Sequence, residues 1–104
     1  MPYACSYEVP APVEMYREVR RLIGDDEPKG LIAHLVVQGE GVLRHIEVWD
    51  SEDDWTRFDS ERVRPAVHQV LRTAGFVDMP PDPPTQELPV VDVWLGTSSR
   101  PAAL

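Results

Sequence analysis

Residues 31–49 read LIAHLVVQGEGVLRHIEVW, and how this run folds back on itself decides the fold. Two stretches rich in β-branched residues, Leu31 to Gln38 and Val42 to Trp49, flank Gly39-Glu40-Gly41. A short glycine-bounded gap between such stretches signals a β-hairpin. With Glu40-Gly41 as a two-residue turn, Gly39 faces Val42, and pairing runs Ala33–Val48, His34–Glu47, Leu35–Ile46 and Val36–His45. One face is then Leu31, Ala33, Leu35, Val37, Ile46 and Val48, almost wholly apolar. The other is Ile32, His34, Val36, Leu43, His45, Glu47 and Trp49. A three-residue turn would set Ile46 opposite His34. The two-residue turn is preferred because it keeps one face apolar, the property that normally fixes register. The sequence does not say which face meets the helices.

Upstream, Tyr3 to Val9 alternates Tyr3, Cys5, Tyr7 and Val9 against Ala4, Ser6 and Glu8, the period of a strand ended by Pro10. Pro12 suits a first helical position, and Met15, Val19, Leu22 and Ile23 recur at helical spacing up to Gly24, which is placed to close the helix. Downstream, Ser51 caps a second helix with Asp54 three residues on, and Trp55 and Phe58 share its buried side. Pro65 is expected to separate this helix from a further segment running to about Ala74, with Val67, Val70, Leu71 and Ala74 inward. The proline-rich stretch from Met79 to Pro89 reads as an extended connection, Val90 to Leu95 as the last strand, and Ser98 to Leu104 as a loose tail.

The order β-α-β-β-α-β predicts one ferredoxin-like α+β domain over residues 1–104, a four-stranded antiparallel sheet with helices on one face. Its other face would need covering, which predicts a homodimer.

Charge and composition exclude several functions. Net charge is −8, from 18 acidic against 10 basic side chains, and Lys29 is the only lysine. Nucleic acid and anionic membrane surfaces are therefore not expected partners. Cys5 is the only cysteine, so neither an intrachain disulfide nor a cysteine-based zinc site is available. With no signal-peptide pattern and no apolar run long enough to span a bilayer, a cytoplasmic protein is the expectation.

The chemistry-bearing residues lie on the polar face of the hairpin. His34 beside Glu47 has the pattern of an imidazole held in a chosen tautomer for general base work, Glu47 being the orienter. A hydrogen bond that merely closes a sheet face is the plainer reading of the same pair. His45, Trp49, Tyr7 and Tyr16 are the expected ligand-positioning residues. His34, His45 and Glu47 are ligand types for zinc, but the helical H-E-x-x-H spacing is absent, so no metal is expected. No cofactor fingerprint is found either.

The run Gly30-Leu31-Ile32-Ala33-His34, the junction Val48-Trp49-Asp50-Ser51-Glu52-Asp53-Asp54-Trp55-Thr56-Arg57-Phe58 and the segment Glu61-Arg62-Val63-Arg64-Pro65-Ala66 resemble the dimeric α+β barrel superfamily. The likeness is to small bacterial proteins of the antibiotic-biosynthesis-monooxygenase-like group and covers about residues 30–70. It implies a homodimer whose sheets form a barrel, with a small-molecule cavity between each sheet and its helices. Cofactor-independent monooxygenases acting on aromatic or polyketide-like substrates are among its members, as are haem-degrading enzymes and cyclases. Of the candidate residues, His34 matches a position that recurs in the group's pattern. The Asn/Trp pair of the haem-degrading type has no counterpart here. The resemblance therefore predicts a small-molecule-binding barrel, with a non-catalytic or structural dimer as the alternative.

Overall fold

The structure, a computed structural model, describes residues 2–96; the tail expected over 98–104 lies outside them. Four strands, β1 (Tyr3–Val9), β2 (Leu31–Gln38), β3 (Leu43–Trp49) and β4 (Gln86–Leu88), form one antiparallel sheet in the order β2-β3-β1-β4. Helix α1 (Val13–Ile23) joins β1 to β2, and α2 (Glu52–Phe58) and α3 (Arg64–Thr73) lie between β3 and β4. This α+β arrangement is compatible with a ferredoxin-like fold.

The hairpin register is the one the sequence predicts: Ala33 pairs with Val48, His34 with Glu47, Leu35 with Ile46 and Val36 with His45. The Gly39 N–H donates to the Val42 carbonyl across the turn at 2.8 Å, and Gly41 supplies a φ of 73°. Beyond Ala33 an extra residue shifts the pairing, so that Leu31, rather than Ile32, lies opposite Trp49.

The helices cover the polar face of the hairpin. Trp55 of α2 lies against Tyr3 and Phe58 against Trp49, with ring centroids 5.6 and 5.3 Å apart. Tyr16 of α1 sets its ring edge on His34 and His45. The interior thus holds Cys5, Leu43, His45, Glu47 and Trp49 from the sheet with Ala66 and Val70 from α3. The apolar face is the uncovered one, and Leu35 and Val37 remain 57% and 43% exposed on it.

Three local expectations are corrected. Pro65 does not separate two helices: the chain stays helical through a π-helical turn over Asp59–Val63. The wider turn accommodates a residue that lacks an N–H and crowds the preceding carbonyls, and Pro65 then sits in the first turn of α3. The last strand is Gln86–Leu88 rather than Val90–Leu95. It pairs Gln86, Glu87 and Leu88 with Ser6, Cys5 and Ala4. Pro89 ends it at once, and Val91 and Trp94 beyond are almost fully exposed. On α3 the buried small residue is Ala66, whereas Ala74 is exposed.

Ser51 caps α2 as expected: its Oγ accepts from the Asp54 N–H at 3.2 Å and donates to Asp54 Oδ2 at 3.0 Å. The cap is locked to the entry of β2. Gly30, at φ 84°, accepts from the Asp50 N–H at 2.7 Å and lies against the Asp54 carboxyl, where a Cβ would collide. Gly30→Ala therefore combines a left-handed φ with a clash. It should destabilise the fold by about 1–3 kcal/mol, read as a lower urea midpoint at unchanged m-value; an unchanged midpoint would contradict this account of the junction.

Candidate functional site

Period-two alternation on β1 and β3 brings Tyr7, His45, Glu47 and Trp49 to the helix-covered side of the sheet, and β2 adds His34 at its edge. Glu47 is buried at the centre. Its two oxygens are taken by neutral donors: Trp49 Nε1–H donates to Oε1 at 3.0 Å and the Tyr7 hydroxyl donates to Oε2 at 2.5 Å. Hydrogen bonds to an ionised acceptor are the strong ones, and two of them offset much of the cost of burying a carboxylate. Among the described residues no lysine or arginine reaches ion-pair distance of Glu47.

Cross-strand pairing sets His34 opposite Glu47, yet its Nε2 is 3.9 Å from Glu47 Oε2, beyond hydrogen-bond range. The direct partner of His34 is instead His45, diagonal to it across the hairpin, with Nε2 to Nδ1 at 3.1 Å. One of these nitrogens carries the shared proton and the other accepts it. The edge-strand backbone leaves His34 open as a residue, but only 25% of its side chain is exposed. Its rim toward solvent is flanked by α1, which contributes Tyr16.

Aromatic rings complete the cluster. Tyr7 stacks on His45 at 4.7 Å with planes 9° apart, His34 stacks on His45 at 5.3 Å, and Tyr16 meets His45 edge-on at 5.5 Å. Among the described residues no buried side-chain nitrogen or oxygen lacks a hydrogen-bond partner.

Burial fixes the protonation states. It lowers the His45 pKa to about 4, with His34 adding to the effect. Burial also lowers the His34 pKa, against the pull of the Glu47 carboxylate and with a further downward push from Arg20. Both imidazoles are thus neutral at pH 7. Burial, reinforced by Glu47, holds the Tyr7 hydroxyl far above its ordinary value, so it stays a donor. The Cys5 thiol, fully enclosed beneath Glu47, is pushed up to about 12 by burial first and then by that carboxylate, which makes it an inert core residue.

A cavity of about 170 Å³ adjoins Tyr7, and neither His34 nor His45 lines it. Tyr7, Trp55, Val67, Asp59, Arg64 and His68 are among its lining residues. Arg64 spans its rim, donating to Asp59 Oδ2 at 3.2 Å and pairing with Asp82 Oδ2 at 2.6 Å. Burial raises the Asp59 pKa against the opposing effect of Arg64.

The structure therefore brings His34, His45, Glu47, Tyr7, Trp49 and Tyr16 into one cluster. Trp49 binds Glu47 rather than facing open space, and of the cluster only Tyr7 also lines the cavity. Asp59 and Arg64 were not singled out by sequence; a π-helical turn over Asp59–Val63, which leaves no periodic signal, precedes Arg64 and lets the two pair five residues apart. No helix among the described residues is long and apolar enough to cross a membrane. No protein-family model matches this chain, and a search of curated proteins finds no match to it either.

Neutral buried histidines link stability to pH. The folded-state pKa values lie below the unfolded value of about 6.5, so the unfolded chain takes up these protons first as pH falls. The stability held by the neutral imidazoles is complete above about pH 6.5 and is lost as pH falls toward 4. For His45 the slope should approach about 1.4 kcal/mol per pH unit in that window. Urea melts of wild type and His45→Gln at pH 7.0 and 5.0 will measure it. Equal pH sensitivity in both proteins would show that His45 is not the group responsible.

Proposed function

We propose that this chain is a small-molecule-binding homodimer of the dimeric α+β barrel kind, and that its imidazole pair works as a proton acceptor in cofactor-independent oxygenation of an aromatic or polyketide-like substrate. The observation that carries the reading is the neutral His34–His45 pair at 3.1 Å, ringed by Tyr7 and Tyr16 and reachable at the sheet edge through the part-exposed His34. A neutral imidazole can accept a proton from an acidified substrate brought against the exposed edge of His34.

In this reading the substrate carries an acidified CH₂ beside a phenol or carbonyl. His34 removes a proton, and His45 shares the resulting charge through their hydrogen bond. The carbanion passes its electrons to dissolved O₂, giving a hydroperoxide at that carbon after the proton is returned. Loss of water then leaves a carbonyl, so that CH₂ and O₂ become C=O and H₂O. Glu47 acts through position: held by Tyr7 and Trp49, it sets negative charge 3.9 Å from His34 and favours the imidazolium that forms.

The dimer is supported by the uncovered sheet face. Leu35, Val37, Ile46 and Val48 share it, no helix among the described residues covers it, and a twofold copy would bury the same patch on both subunits. A second reading, a binding module without turnover, is favoured by the 170 Å³ cavity beside Tyr7, where Arg64, Asp59 and His68 offer polar anchors and neither His34 nor His45 takes part.

Light scattering at micromolar concentration should give a dimer; a clean monomer removes the barrel. With an anthrone as substrate, oxygen uptake should fall about 10²–10⁴-fold in His34→Ala. Glu47→Gln should fall less, and the dimer should persist in both. A wild-type dimer that binds the anthrone and consumes no oxygen leaves only the binding module.

A further inference from the structure

Glu47 is a buried carboxylate with two neutral donors and no full cation beside it, while the two nearest side chains that offer lone pairs are imidazoles. One ligand atom from each of His34, His45 and Glu47 lies within 4.8 Å of the others. From this geometry we propose that the His34–His45–Glu47 cluster is a binding site for one divalent late first-row cation such as Zn²⁺.

Distances support the assignment. Ligands bound at about 2.0–2.2 Å to one cation sit roughly 3 Å apart at a right angle and about 4 Å apart when opposite. His34 Nε2 is 3.1 Å from His45 Nδ1 and 3.9 Å from Glu47 Oε2, both inside that range. The third spacing, between His45 and Glu47, is no more than 4.8 Å, and ligation would draw these two closer.

The donor set and its surroundings agree. Two imidazoles and one carboxylate suit zinc, nickel, copper or iron rather than magnesium or calcium, which prefer oxygen alone. The carboxylate is already oriented by Tyr7 and Trp49, the kind of outer support that ligating carboxylates carry. A cation there replaces the proton shared by the histidines and adds a positive charge beside Glu47, which is otherwise met by two neutral donors alone. The exposed quarter of His34 puts the cluster within reach of a cation from solvent at the sheet edge.

The sequence pointed away from this site because hairpin ligands lack the helical i, i+4 spacing by which metal-binding histidines are usually recognised. On strands the equivalent rule is period two along β3, which gives His45 and Glu47, plus a diagonal neighbour on β2, which gives His34.

The inference does not rest on the oxygenase reading, and its test contains no substrate. The intact protein, freed of metal by chelator and dialysis, is titrated at pH 7.5 with Co²⁺ and with Zn²⁺. We expect saturation at one ion per chain, visible Co²⁺ bands of a four- or five-coordinate centre, and their displacement by Zn²⁺. His34→Ala should weaken binding roughly tenfold to a hundredfold with an unchanged circular dichroism spectrum, and His68→Ala should leave it as in wild type. Glu47→Gln, which keeps the side chain's shape, carries the same test should His34→Ala fold poorly. Binding should also weaken as pH falls, since protons compete for the imidazoles. No saturable one-to-one binding, or binding unaltered in both His34→Ala and Glu47→Gln, overturns the proposal. Oxygen uptake by the metal-free protein is measured separately, so failure of one reading leaves the other standing.

Discussion

The interior is organised around one obligation, that of keeping the buried Glu47 carboxylate hydrogen-bonded. Glu47 sits on β3, an inner strand of the sheet, and both of its donors come from side chains whose placement depends on register. Trp49 is two residues along the same strand and therefore on the same face. Tyr7 is paired with His45 and leans across to Glu47. A one-residue slip of β1 would turn Tyr7 to the open face and leave a charged oxygen without its partner. Such an orphan costs far more than the bond gains, so the pair pins β1 to β3 more firmly than backbone bonding alone. The stacking of Tyr7 on His45 and the burial of both imidazoles follow from the same register.

Much of this was legible in the hairpin. Keeping one face apolar was enough to give the pairing of β2 with β3 and to put His34 opposite Glu47. It was not enough to give their relation, because a paired position fixes where a Cβ lies and not where the side chain ends. His34 leans toward its diagonal neighbour His45, and Glu47 turns toward Tyr7, a residue 40 positions earlier in the chain. Pairing of β1 with β3 has no turn to announce it, so Tyr7 could be placed on a face but not beside a partner. Pro65 and the final strand failed for local reasons. A π-helical turn absorbs a proline that helix rules treat as a break. Meanwhile Gln86-Glu87-Leu88, weak by propensity, pairs with β1 where the stronger Val90-Val91 run does not.

The side of the sheet that meets the helices was beyond the sequence, and the outcome runs against simple hydrophobic sorting. The face with two histidines, a glutamate and a tyrosine is the inner one, and the face with Leu35, Val37, Ile46 and Val48 is the outer one. A small domain optimised to stand alone would do the reverse, since a chain of this length has little interior to give to polar groups. Retaining a polar cluster there sacrifices hydrophobic burial that the fold can scarcely spare, and perturbed groups held at such a cost are candidates for a functional site. The two oddities explain one another. Apolar residues displaced from the inside have gone to the outside, where a second copy of the same face would restore the burial lost within. In that arrangement the interior cluster is free to be chemical because the exterior supplies the missing core, and the site and the proposed dimer are two consequences of one choice of which face to cover.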